Sequence, residues 1–239
     1  MATAVSGRAE TRLDRYFFPG MALLMLATVL WGFARTYYLA ANWLVHVHGA
    51  VFSCWILLLV TQTSLVAANR VDVHRKLGLL GFGLAPLMVV VGTLAATDQL
   101  RRRFGITGRL GMDPIVVPLT DMLVFGTLVF FAFRARFNPP AHKRLMLIAT
   151  TALSVAAVIR WPVGFIRHSP IWVSELCTYG FLLLLLAYDL WSTGKVHRAT
   201  IWASTLLIVV QRVRMPLGET GAWHAFATWA QNLPRAVHG

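Results

Sequence analysis

The stretch Val73-His74-Arg75-Lys76-Leu77 recurs twice in altered form, as Ala141-His142-Lys143-Arg144-Leu145 and as Val196-His197-Arg198-Ala199. In each copy a histidine and its basic neighbours stand between two apolar runs. The repeated unit is therefore an apolar helix, a short basic loop and a second apolar helix. The pattern predicts one opening helix followed by three helical hairpins, whose short connections would pack successive helices as antiparallel neighbours.

The composition indicates that these hairpins lie in a membrane. The 239 residues are 57% hydrophobic and only 13% charged, with a mean hydropathy of +0.64, which is more apolar than an ordinary soluble domain. A bilayer core about 30 Å thick needs roughly 20 apolar residues per helix. Six runs approach that length, at residues 17–34, 43–68, 77–97, 115–133, 145–159 and 171–191.

A seventh apolar run is shorter, because residues 199–210 are followed by Gln211 and Arg212. We predict that it continues to Leu217 as a helix, with its arginines facing protein or extending to the surface; a re-entrant or interfacial segment is the alternative. The sequence thus predicts an all-α integral membrane protein of about seven transmembrane helices, forming one bundle over residues 1–239. Residues 1–16 would be a tail, and residues 218–239 a short amphipathic helix at the membrane surface.

The net charge of +13 does not indicate a nucleic-acid partner, because the basic residues lie between apolar runs and no nucleic-acid motif is present. The lipid bilayer is the predicted partner, and a membrane-protein partner or a second copy of the chain stays open. Lysines and arginines are denser in the short loops on the N-terminal side. The sequence therefore predicts a bacterial inner (plasma) membrane protein with a cytoplasmic N-terminus.

Five histidines are candidates for binding heme or a metal ion: His46, His48, His74, His142 and His197. Neutral imidazole is a ligand of heme iron, and two histidines at similar depth on neighbouring helices could hold a heme b. His46 and His48 are about 200° apart on a helix, so only one can face the bundle. His48 is the better inward candidate, because Gln62 returns to nearly the same face 14 residues later. The alternative is that all five only solvate helix ends.

Asp121 and Glu175 are carboxylates inside predicted membrane helices, where an ionised group costs on the order of 3 kcal/mol. Such groups usually face the bundle interior and pair with other polar groups. We predict an outward-facing polar chamber lined by Asp121 and Glu175 together with Arg35, His46, His48, Gln62 and Arg160. Arg160 is the predicted partner of Asp121, with His48 second. The alternative is a set of structural ion pairs.

Several motifs resemble those of a known family. They are His46-Val47-His48-Gly49, Trp55-Ile56-Leu57-Leu58, Thr61-Gln62-Thr63, Val71-Asp72-Val73-His74-Arg75-Lys76-Leu77-Gly78 and Pro140-Ala141-His142-Lys143-Arg144-Leu145-Met146. Over roughly residues 40 to 160 the chain is similar to a family of small bacterial multi-pass membrane proteins that has no established activity. The His-Arg-x-Leu-Gly step at His74 also resembles, more faintly, a step in membrane cytochromes b.

Three function classes follow from these residues. The first is a heme- or metal-binding redox protein that uses His46 or His48 with one or more of His74, His142 and His197. The second is a small-solute or proton-coupled transporter that uses Asp121, Glu175 and Arg160, and the third is a membrane subunit without chemistry of its own. The sequence contains no Walker loop, Gly-rich dinucleotide turn, nucleophile elbow or cysteine cluster, which argues against a conventional soluble-type enzyme. Whether the protein is an enzyme stays open.

Overall fold

The computed structural model describes residues 12–35, 42–107 and 115–232, and within these ranges the regular structure is helical. The helices are α1 (Arg12–Phe33), α2 (Trp43–Ala67), α3 (Val71–Thr107), α4 (Val116–Arg134), α5 (Pro139–Val158), α6 (Gly164–His168), α7 (Ile171–Thr193), α8 (Arg198–Gly218) and α9 (Gly221–Asn232). The predicted hairpin repeat is present, since each basic His motif lies at the start of a long helix: α3, α5 or α8.

Five of the described helices are long and apolar enough to cross a membrane: α1, α2, α3, α4 and α7. The protein is therefore an all-α protein with several candidate membrane-spanning helices. Helices α5 and α8 have 20 and 21 residues, but they carry charged residues near their ends and are not among the five. The count of seven spans accordingly stays a prediction.

The start of the first helix differs from the one predicted, whereas the predicted continuation of the seventh apolar run as a helix is confirmed. The first helix begins at Arg12, about one helical turn before the predicted end of the N-terminal tail. The short seventh run is part of a continuous helix, α8, that extends through Arg212 and Leu217 to Gly218. Helix α6, which has five residues, has no counterpart in the sequence prediction.

The C-terminal helix α9 matches the predicted amphipathic segment, but its aromatic residues divide between two environments. Trp223 is buried with Ala227 against Ala96, Leu100 and Val116 of α3 and α4, which anchors α9 to the bundle. Phe226 and Trp229 are exposed, as expected for side chains at a membrane interface.

Contacts between distant residues define the two ends of the bundle. At one end Lys143 Nζ lies 2.7 Å from an Asp14 carboxylate oxygen, and Arg15 donates to the Ala67 carbonyl oxygen over 2.6 Å. We call this the Asp189 end, after a buried carboxylate described below. At the other, the Arg214 end, Trp161 donates to the Thr28 carbonyl oxygen over 3.2 Å. Helices α1, α3, α5 and α8 run from the Asp189 end to the Arg214 end, and α2, α4 and α7 run back.

Helix α5 is the centre of the bundle, where it packs against α1, α4, α7 and α8. Its inner residues include Ile148, Ala149 and Ala152, all fully buried, and α1 approaches it closely at Gly32, whose Cα faces the backbone of Ala157. A helix surrounded by other helices does not need a lipid-facing apolar surface. This position explains how α5 accommodates Arg144, Thr151 and Ser154, which are buried polar residues.

Candidate functional site

The guanidinium of Arg214 lies deep in the bundle, and its side chain has no solvent-exposed area. Arg214 donates to an Asp121 carboxylate oxygen over 2.6 Å through one terminal nitrogen, and to Glu175 Oε1 over 2.5 Å through the other. Its Nε also donates to Glu175 Oε1, over 3.0 Å. Arg214 thus joins α4, α7 and α8 near the Arg214 end of the bundle.

Arg212 completes this group, because its guanidinium contacts the second carboxylate oxygen of Glu175. We call Asp121, Glu175, Arg212 and Arg214 the Arg214 cluster. Its formal charges sum to zero, which is the condition under which ionised groups can be buried in a medium of low dielectric constant. Arg212 is the exposed member, with 43% of its side-chain area accessible, whereas both carboxylates are buried.

The prediction that Asp121 points into the bundle is confirmed, since only 7% of the residue is exposed. The predicted partner was wrong: Asp121 pairs with Arg214 of α8 and not with Arg160 or His48. Arg160 instead lies at the surface, where its guanidinium packs on the Phe33 ring at 4.8 Å and donates to the Ala156 carbonyl. The cause is the continuation of α8, which brings Arg214 into the interior beside the two carboxylates.

The other residues of the predicted chamber do not join the Arg214 cluster. Arg35 and His46 are exposed at their helix ends, and His48 stacks on Phe52 with ring centroids 4.0 Å apart. Gln62 lies near the opposite end of α2, where it contacts His74. Asp121 and Glu175 are therefore neutralised by arginine side chains, which is the structural ion-pair alternative raised by the sequence.

A second buried ion pair lies at the other end of the bundle. Arg144 of α5 donates twice to Asp189 Oδ1, over 2.8 and 2.6 Å, and both side chains are almost completely buried. Asp189 Oδ2 accepts from the Thr200 hydroxyl over 2.6 Å and from the His197 backbone N–H over 2.9 Å. We call Arg144, Asp189 and Thr200 the Asp189 cluster. This cluster joins α5, α7 and α8, and both carboxylate oxygens of Asp189 accept hydrogen bonds.

His74 and His142 meet near the same end, with their ring centroids 6.4 Å apart and their planes 80° from parallel. His142 Nδ1 lies 2.8 Å from the Ala132 carbonyl oxygen, to which it donates when it carries the proton. His74 Nδ1 accepts from the amide nitrogen of Gln62 over 2.6 Å, and the Gly78 N–H donates to the amide oxygen of Gln62 over 2.8 Å. Both rings are half-buried and are held through Nδ1, so Nε2 is the remaining nitrogen of each.

The third motif histidine, His197, has a different role. Its Nδ1 accepts from the Ala199 backbone N–H over 3.0 Å and so caps the start of α8. Burial and the neighbouring cations Arg144 and Lys143 lower the pKa of His197, while Asp189 opposes them. The three repeated histidines therefore do not form one ring: His74 and His142 are a pair, and His197 is a helix cap.

The sequence prediction missed Arg214, Arg144 and Asp189 as central residues. Arg144 was interpreted as part of a surface loop, yet only 3% of it is exposed. A helical repeat was the available signal: Thr200, Gln211 and Arg214 share one face of α8 because they are separated by 11 and 3 residues. Nothing in the sequence indicated which helices, far apart along the chain, would bring these side chains together.

No protein-family model, curated protein or solved structure matches this chain. The resemblance to a family of small bacterial multi-pass membrane proteins therefore stays a prediction from the motifs that carry it.

Proposed function

We propose that the protein is a membrane redox protein that binds a heme b through His74 and His142. The observation that carries the proposal is the pairing of these two rings at 6.4 Å on helices α3 and α5. Two imidazoles can hold one metal atom between them only if their rings lie close together, since a metal–nitrogen bond is about 2 Å long. The observed separation agrees with that arrangement.

The hydrogen bond behind the His142 ring also fits a metal ligand. A metal-bound histidine usually binds through one nitrogen and donates its other N–H to a carbonyl or carboxylate, which orients the ring. His142 makes this contact with the Ala132 carbonyl oxygen. His74 Nδ1 accepts from Gln62 in this structure, so binding of a metal through Nε2 would require the Gln62 amide to turn and present its oxygen to the Nδ1–H tautomer.

The donor set favours heme over a bare metal ion. Within the described ranges, no three His, Cys, Asp or Glu side chains lie close enough to hold an ion together. A porphyrin supplies nitrogen ligands of its own, so His74 and His142 would be sufficient to hold a heme. Arg75 and Lys76, both exposed beside His74, are cations suited to the heme propionates. When bound, heme would supply one-electron chemistry.

The absorption spectrum of the purified protein tests this proposal. We expect protein expressed with excess heme and purified in detergent to show a Soret band, and sharpened α and β bands after reduction with dithionite. His74→Ala and His142→Ala should each abolish these bands, while His168→Ala, an exposed histidine at the Arg214 end, should leave them intact. A colourless wild-type protein, or an unchanged spectrum in both ligand variants, would exclude the site.

Gln62 provides a subtler test of the same site. Gln62→Leu removes the group that holds His74 Nδ1 but leaves both proposed ligands. We expect heme to remain bound, with a shifted reduction midpoint potential, because the partner of a ligand's second nitrogen alters its basicity. Thr61→Leu, on the exposed side of the same helix, is the control and should leave the potential unchanged.

A further inference from the structure

The buried face of α8 is a line of mostly polar residues that connects the two ion clusters. Thr200, Ser204, Leu207, Gln211 and Arg214 follow one another at intervals of four, three, four and three residues, so they share one face of the helix. All five are at most 8% exposed. From Thr200 to Arg214 the helix rises about 21 Å, roughly two-thirds of the hydrocarbon core of a bilayer.

Helix α7 repeats this arrangement. Glu175, Thr178, Leu182, Leu185 and Asp189 also share one buried face, and the two carboxylates are again 14 residues apart. Glu175 belongs to the Arg214 cluster, and Asp189 to the Asp189 cluster. Each end of the bundle interior therefore holds a carboxylate on α7, and α8 carries most of the polar side chains between them.

Two side chains on this line have unmatched hydrogen-bonding groups. Among the described residues, both amide atoms of Gln211 and the hydroxyl oxygen of Ser204 are buried without a partner. A buried amide can donate two hydrogen bonds and accept two, and each group left unmatched destabilises the folded protein. Native proteins usually satisfy such groups with internal water molecules. Gln211 and Ser204 are thus suited to bind water within the bundle.

We propose that Gln211 and Ser204 bind water and form the two halves of a proton path along α8, which Leu207 interrupts. The ligand is water and the transported species is the proton. In each step one O–H bond forms as another breaks along the bound water, so that for each proton that enters beside Glu175 and Asp121 one proton leaves beside Asp189, and the three carboxylates end as they began. The fully buried, apolar Leu207 lies between the two water sites on the same face.

The position of Leu207 gives the path a gate. Ser204 and Gln211 are separated by about 10 Å along the helix axis, a distance that a few water molecules could bridge if the intervening side chain were polar. A leucine at the midpoint offers no hydrogen bond and displaces water, so the path is closed in this structure. Because the path uses none of the proposed heme ligands, it is independent of the heme proposal.

Proton flux into liposomes tests the path. The full-length protein would be reconstituted in potassium-loaded vesicles that contain a pH-sensitive dye, and proton uptake would be driven by a valinomycin potential. We expect wild-type protein to conduct little above protein-free vesicles, and Leu207→Gln to raise the rate at least fivefold. Leu207→Met, which keeps the site apolar and of similar volume, is the matched control and should match the wild type.

A double variant ties the flux to the water sites. Leu207→Gln combined with Gln211→Leu should return the rate to the wild-type level, because one half of the path is then apolar. If Leu207→Gln does not insert stably, Leu207→Ser replaces it in both arms. A polar substitution at Leu207 that conducts no faster than Leu207→Met would overturn the proposal, as would a double variant as conductive as the single one.

Discussion

Arg214 of α8 donates a 2.6 Å hydrogen bond to Asp121 of α4, 93 residues earlier in the chain, and neither residue is more than 7% exposed. The same guanidinium holds Glu175 of α7. One arginine side chain therefore fixes three helices against one another at the Arg214 end. Asp189 does the same for α5, α7 and α8 at the other end.

Removing Arg214 should destabilise the bundle strongly. Arg214→Met leaves two buried carboxylates without their main partner, and breaking such a pair costs about 3–5 kcal/mol. Arg212→Met is the control, because Arg212 is half-exposed and Glu175 keeps Arg214 without it. Thermal unfolding in detergent should show a large decrease for Arg214→Met and a small one for Arg212→Met. Equal effects would contradict the central role of Arg214.

The buried carboxylate of Asp189 should contribute far more to the free energy of unfolding than an exposed carboxylate does. Asp189→Asn removes the charge that pairs with buried Arg144, and we expect a loss of about 3 kcal/mol or more. Asp98→Asn makes the same chemical change in a pair with Arg102 that is accessible to solvent, and should cost about 1 kcal/mol or less. Denaturation monitored by circular dichroism would compare them. The prediction fails if Asp98→Asn is as harmful as Asp189→Asn.

His197 should make the stability of the protein depend on pH. Its pKa is lowered in the folded protein by burial and by Arg144, so below about pH 6.5 the unfolded chain binds more protons at this position. Its contribution is therefore fully present above about pH 6.5 and is lost as the pH falls toward the lowered pKa. Protonation of Nδ1 would also abolish the cap on Ala199.

A non-titrating variant isolates this effect. His197→Asn keeps a good helix-capping side chain and removes the titration. The difference between the melting temperatures of wild type and His197→Asn should be constant from pH 8 to 7. Below pH 6.5 the melting temperature of the wild type should fall relative to that of the variant. A difference that is independent of pH down to 5 would show that His197 does not titrate in this range.

Gly32 should tolerate no side chain. A Cβ there would lie 2.9 Å from the Ala157 carbonyl carbon and closer still to its oxygen, so Gly32→Ala forces α1 away from α5. Gly20 lies on the same helix, where an added Cβ would meet nothing within 4 Å, and Gly20→Ala should be neutral or stabilise by up to about 1 kcal/mol. The melting temperature should therefore fall for Gly32→Ala, and it should stay the same or rise for Gly20→Ala.

The membrane topology can be tested at the two ends of α8. With Cys54 and Cys177 replaced by serine, single cysteines at Lys195 and Thr220 should react with a membrane-impermeant maleimide from opposite sides of the membrane. Both positions are exposed, one before α8 and the other after it. Labelling of both from the same side would show that α8 does not span, and would remove the seventh predicted transmembrane helix.

The sequence alone determined the class of the protein and the order of its helices. Long apolar runs can satisfy their backbone hydrogen bonds within a membrane only as helices or closed barrels, and their length predicts helices. The basic His motifs marked the starts of α3, α5 and α8, because charged residues collect where a helix leaves the apolar core. An intramembrane carboxylate such as Asp121 could be predicted to face inward, since its burial in lipid is costly.

Only the tertiary structure decided which charges meet. Arg160 and Arg214 were equally available to Asp121 in the sequence, but the packing of α8 against α4 brings Arg214 to it. The same holds for His74 and His142, which form a pair because α3 and α5 begin side by side, while His197 caps its own helix. Helical periodicity places a residue on a face of its own helix. Which helix covers that face depends on the packing of the whole bundle, which is a property of all the helices together.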